Sequence, residues 1–99
     1  MNLVIDIGNT RTKFSVFNRG EVLITVPLEE FNASHIGVLK QEYDELDHVI
    51  LSAVKDYPGE LRIALKQNFD TFIELDANKA GLSHFLSDEL GKQMIHGPW

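Results

Sequence analysis

Cysteine is absent from the sequence, which excludes disulfides and thiolate metal sites and fits a reducing compartment, so a cytoplasmic address is expected. Cations are scarce as well. Nine Lys and Arg against fifteen Asp and Glu give a formal charge of −6, so most of the surface repels a polyanion and no nucleic-acid partner is expected. No apolar run approaches the roughly 18 residues of a membrane span, and no positively charged leader precedes the first apolar run, so neither a membrane partner nor secretion is expected. The four histidines, His35, His48, His84 and His96, have no local metal-ligand spacing, which argues against zinc. Trp99 and the phenylalanines read as packing residues and not as a base-stacking platform, because no basic surface or RNA motif accompanies them. Internal repeats and low-complexity tracts are also missing.

What remains is an ordinary globular composition, 43% hydrophobic and 24% charged over 99 residues, enough for one small domain. A chain this short buries a smaller share of its surface than a large protein does, so an apolar face shaped for a second domain is a reasonable expectation. Leu3, Ile5 and Ile7 alternate with Val4 and Asp6. The runs from Thr12 to Phe17 and from Glu21 to Val26 repeat an alternating, β-branched and aromatic pattern. Gly8-Asn9-Thr10 and Asn18-Arg19-Gly20 separate the runs with residues that tolerate positive φ, which predicts two hairpins in an antiparallel meander, its third strand ended by Pro27.

Ile36, Leu39 and Tyr43 then describe a short amphipathic helix, with Asn32 or Ser34 to cap it and Gly37 to weaken it. His48 to Val54 is apolar almost without alternation, as a strand buried on both faces of a parallel sheet should be. Pro58 suits a helix start. Leu61, Ala64 and Leu65 line one helix face and lead to a fifth strand around Thr71 to Leu75. The predicted order is βββαβαβ: an α/β fold with a mixed five-stranded sheet, helices packed on it, over residues 1–76. Residues 77–99 read as an extension with a helix over 82–91, where Leu82, Phe85, Leu86 and Leu90 share a face ended by Gly91, and then an irregular tail.

The residue richest in chemical information is Asp6, because an acid inside an apolar strand is costly to bury unless a cation, water or hydrogen-bond donors meet it. Two positions later, Gly8 lets backbone approach a ligand without a Cβ in the way, and Asn9 and Thr10 supply donors suited to phosphate oxygens. A carboxylate for hydrated Mg²⁺ beside a phosphate cradle is nucleotide chemistry. On local physics alone Gly-Asn is a hairpin turn. The context shifts that balance, since the segment ends a hydrophobic first strand, opens a meander and precedes a β-α-β-α-β pattern, the layout of an actin-like, RNase H-like half-domain. Neither a Walker A loop nor a Gly-x-Gly-x-x-Gly fingerprint occurs. Arg11, Lys13 and Arg19 place three of the nine cations just beyond Gly8, a concentration of positive charge near the candidate site or simply a solvated strand face.

The segment from Met1 to Phe17, with Asp6-Ile7-Gly8-Asn9-Thr10 at its centre, closely resembles the amino terminus of type III pantothenate kinases, members of the actin-like ASKHA superfamily. Leu51-Ser52-Ala53-Val54-Lys55 also looks like that family's Ser-Ser/Ala-Val stretch, although Ser52 itself reads first as a core residue. The likeness covers about the first 75 residues, by motif over the first 17 and by pattern beyond. It implies that Asp6 serves Mg²⁺ and phosphate, that Gly8, Asn9 and Thr10 contact the ATP phosphates, and that Lys13 is a phosphate neighbour.

For the full-length family enzyme it implies transfer of the ATP γ-phosphoryl group to pantothenate in coenzyme A biosynthesis, with Mg²⁺ and a monovalent cation, K⁺ or NH₄⁺, in a homodimer. The family's Gly-x-Asp-Arg segment and second phosphate motif do not occur before Trp99, so a second half-domain is expected to be absent. No residue here receives a catalytic role, and Asp88 reads as an exposed helix-end charge. The alternatives are a fragment of another ASKHA kinase, or a non-catalytic regulatory or interaction module. The expected outcome for the pure 99-residue chain mixed with ATP, Mg²⁺ and pantothenate is no phosphorylated product by mass spectrometry; product formation would refute the half-site reading.

Overall fold

The computed structural model describes residues 1–76. Their elements run β1 (Asn2–Ile7), β2 (Thr12–Asn18), β3 (Glu21–Leu28), α1 (Ala33–Glu42), β4 (His48–Ala53), α2 (Gly59–Asn68) and β5 (Thr71–Asp76), in the βββαβαβ order that the sequence predicts. They form an α/β fold with one five-stranded sheet of order β3-β2-β1-β4-β5. The β1–β2 and β2–β3 pairs are antiparallel, whereas β1–β4 and β4–β5 are parallel. The sheet is therefore mixed. The expected helix over 82–91 and the tail lie outside the described residues.

Short turns account for the antiparallel half. Asn18 pairs with Glu21 across a two-residue loop in which Arg19 has φ 50° and Gly20 φ 91°, the left-handed pair that matches strand twist in a tight hairpin. The parallel half needs crossovers, which α1 and α2 provide. Both crossovers step the same way across the sheet, so the right-handed rule puts both helices on one face. Accordingly Ile36 and Leu39 of α1 and Leu61 and Leu65 of α2 share a single core cluster with Leu3, Ile5 and Ile7 of β1, Phe14 and Val16 of β2, and Val49 and Leu51 of β4. The intervening residues point to the other face, where Val4, Phe17 and Ile50 are buried and Ile73 and Leu75 pack against them.

Helix α1 begins in a capping box. Asn32 Oδ1 accepts from Ser34 N at 3.1 Å, while Asn32 N donates to His35 Nδ1 at 3.0 Å. Phe31, immediately before the cap, is buried and packs edge-on against Phe14 at 5.6 Å between ring centroids, which fixes how the chain enters the helix. Pro58 is the N-cap of helix α2, near the helix start as expected, and Glu60 in the first turn complements the helix dipole. The Arg62–Glu74 ion pair at 2.8 Å joins α2 to β5, but its side chains are 45% and 37% exposed, so its contribution is at most about 1 kcal/mol.

Pro27 departs from expectation. It does not end the third strand, which continues to Leu28 with Pro27 in register with Lys13. The reason is topological: β3 is an edge strand, and one of its two rows of backbone groups has no ladder to join, so a residue without an N–H is tolerated there.

Leu51 is 0% exposed in the middle of the sheet, whereas Val38 on α1 is 62% exposed. Urea unfolding should therefore show Leu51→Ala losing about 2–5 kcal/mol, and Val38→Ala staying within about 0.5 kcal/mol of the parent.

Candidate functional site

The parallel strands β1, β4 and β5 end on the same edge of the sheet, and β2 begins there. Beside β1 the chain departs to one side by a hairpin and returns on the other by a crossover, so the strand order reverses at this strand. In open α/β sheets, that edge at such a reversal is where ligands gather. Asp6, one residue before the end of β1, reaches it while only 8% exposed. Register then decides its company. Lys13 of β2 lies opposite Asp6 on one side and Ser52 of β4 on the other, and residues in register share a face, so a cation, a carboxylate and a hydroxyl form one row on the face away from the helices. Lys13 is half-buried. Ser52 is fully buried, and its Oγ has no hydrogen-bond partner among the described residues.

Beyond β1, residues 8–11 form the loop. Gly8 N donates to Arg11 O at 2.8 Å, and a Cβ built on Gly8 would stand 2.9 Å from that same carbonyl oxygen. Glycine is thus required by close backbone approach. Positive φ, the property predicted for this turn, is not what it uses: among the described non-glycine residues only Arg19 has positive φ, and among glycines only Gly20. A four-residue loop closed by its Gly8–Arg11 bond spreads the reversal over more residues than the two-residue hairpin does and needs no left-handed pair.

Asn9, Thr10 and Arg11 are exposed, and no hydrogen bond among the described residues uses their N–H groups. Successive N–H groups in a turn can bind an anion where they converge, which makes these three candidate donors. The loop is tied to β4 from below by Val54 N donating to Ile7 O at 3.0 Å, and from the side by Lys55 Nζ donating to Asn9 O at 3.5 Å.

Structure therefore brings together Asp6, Gly8, Asn9, Thr10 and Lys13, and adds Arg11 from the loop and Lys55 from after β4. It separates Arg19, which stands beyond the opposite end of β2, about 20 Å away along a seven-residue strand. The basic cluster read along the chain is in this respect divided, because an extended strand carries sequence neighbours apart. Lys55 had no local signal. Its cue is positional, a cation placed directly after a doubly buried parallel strand.

Two open depressions adjoin this edge. One of about 580 Å³ is lined by Ala53, Lys55, Asp56, Tyr57, Arg62, Glu74 and Leu75. Another of about 270 Å³ lies on the helix side between Ile7, Thr12, residues 29–31 and residues 55–58. Neither is lined by Asp6, Gly8, Asn9, Thr10 or Lys13, so the five residues lie beside these depressions and not in them. Among the described residues no group of three His, Cys, Asp or Glu side chains could enclose a metal ion. Asp6 alone suits Mg²⁺, which keeps most of its waters and takes one or two carboxylates together with phosphate oxygens.

Comparison with known protein families and with curated protein sequences finds no match for this chain. Its class rests on topology: a mixed sheet in the order 3-2-1-4-5 with βββαβαβ connectivity, consistent with an actin-like, RNase H-like half-domain.

Replacing Gly8 by Ala sets a methyl group against a backbone oxygen that no rotamer change can move aside. Gly8→Ala should lose about 1–3 kcal/mol in urea unfolding, and amide NMR shift changes should concentrate in residues 7–12.

Proposed function

We propose that this chain is the ATP-phosphate-binding half of an actin-like phosphotransferase, specifically a type III pantothenate kinase. The observation that carries the proposal is the 8–11 loop, with three N–H donors that no hydrogen bond among the described residues uses, at the end of the strand that carries Asp6. Backbone amides bind phosphate without regard to the rest of the nucleotide, and Gly8 keeps the turn tight enough for successive amides to serve one polyphosphate. Lys13, in register with Asp6, places a positive charge beside the same group. Asp6 is positioned to hold hydrated Mg²⁺ against phosphate oxygens, where the ion would neutralise charge on the transferred group.

The acceptor follows from the resemblance of Met1 to Phe17 to the pantothenate kinases, and in actin-like folds the nucleotide lies between two half-domains. In that arrangement this half orients the phosphates and the opposite wall brings the hydroxyl. Catalysis would then come from positioning and charge neutralisation, as it largely does in phosphoryl transfer generally. A homodimeric, cytoplasmic enzyme that uses K⁺ or NH₄⁺ belongs to the same proposal.

Asp6→Asn preserves shape and removes charge. Isothermal titration with ATP should show Mg²⁺ strengthening binding to the parent chain, and this enhancement falling about tenfold or more in Asp6→Asn, the weight of a charge-assisted contact, with the unfolding midpoint nearly unchanged. Equal Mg²⁺ dependence in both proteins would remove Asp6 from the site.

A further inference from the structure

Lys55 follows β4, 46 residues from Asn9 in sequence, yet its Nζ contacts the Asn9 carbonyl at 3.5 Å. Two features show that this placement belongs to the fold. Val54, its neighbour, is anchored to the end of β1 through Val54 N to Ile7 O at 3.0 Å, so the root of the Lys55 side chain is held against the base of the loop. Lys55 also lines both depressions, so the side chain that touches the loop borders the open space beside it.

The contact itself is weak. A 3.5 Å bond to a neutral, exposed carbonyl lies at the long limit of hydrogen bonding and is readily exchanged for an anionic oxygen, which binds an ammonium roughly twice as strongly. Asp56 and Glu74 are the other described carboxylates lining the larger depression, and Glu74 is already paired with Arg62.

We infer that Lys55 is a ligand-binding residue: its ammonium leaves the Asn9 carbonyl and neutralises a polyphosphate seated on the amides of Asn9, Thr10 and Arg11. The inference rests on the phosphate-loop reading above and extends it to a second element. Lys13 approaches the anion from β2 and Lys55 from beyond β4, so the two cations flank the loop from opposite sides of β1. Release of Lys55 also frees the Asn9 carbonyl, and the loop remains closed by its own Gly8–Arg11 bond.

The test is an NMR titration of the 99-residue chain with MgATP, following the amides of Gly8, Asn9, Thr10 and Arg11, for the parent, Lys55→Gln and Lys55→Arg. The parent loop amides should shift on binding. Lys55→Gln should bind about tenfold more weakly, the weight of one charge-assisted hydrogen bond, and Lys55→Arg should stay within about threefold of the parent, since it keeps the charge. The loss should shrink in higher salt, because an exposed charge is screened. Thermal unfolding of Lys55→Gln should match the parent, since the side chain is exposed. Binding by the parent with equal affinity in Lys55→Gln would overturn the role of Lys55 and leave the phosphate loop standing. Loop amides that do not move in the parent would overturn the phosphate-loop reading and this inference with it. Weak binding in Lys55→Gln that tracks a lowered unfolding temperature would make Lys55 a structural tie instead.

Discussion

The structure depends on burying β1 on both faces. All six of its residues are buried, with β2 antiparallel on one side and β4 parallel on the other, and with apolar clusters above and below. A strand so placed has every backbone group committed to a ladder and each side chain committed to a face, so its direction and register have no freedom. The consequence reaches the site directly. Asp6 can only be where β1 puts it, at the edge where the parallel strands end, between Lys13 and Ser52. Moving β1 by one residue would turn Ile5 and Ile7 away from the helices and set the carboxylate among Ile36, Leu39, Leu61 and Leu65, at a prohibitive desolvation cost.

That fixed register also anchors the polar loop at the edge. Residues 8–11 connect two strands whose ends are fixed by the Ile7–Thr12 pair, and Gly8 N to Arg11 O closes the turn. The amides left over are held by the scaffold without partners among the described residues, and backbone donors held in place serve an anion with little reorganisation. Further out, the edge strand β3 absorbs what the centre would not. Pro27, a bulge between Val16 and Phe17 in the β2–β3 pairing, and the exposed Val22 and Leu23 all occur there.

Much of this was legible in the residues. Alternation in Leu3, Ile5 and Ile7 marked a strand with two different faces, and the uninterrupted run from Val49 to Ala53 marked one covered on both. An acid near the end of the first strand, followed by Gly-Asn-Thr, marked residues that the fold brings together at one end of the sheet. Asn32 was legible as a cap because its side chain competes for the first amides of a helix, a strictly local effect. Pro27 was misleading because its missing N–H matters only if the strand has a neighbour on that side, and neighbours are not local. Gly8 was legible as a necessary glycine but for the wrong reason, since the oxygen that excludes a Cβ belongs to Arg11 and its approach is a property of the closed loop.

The sequence by itself determined the elements and their order, and singled out the candidate residues of the first loop, because periodicity, capping and turn chemistry act over a few neighbouring positions. Only the tertiary structure decided which of those residues meet. It set Ser52 beside Asp6 through parallel pairing, carried Arg19 to the far end of β2, and brought Lys55 across 46 positions to the Asn9 carbonyl. The physical reason is that β-pairing and packing join segments according to which faces must be buried, and that requirement disregards distance along the chain.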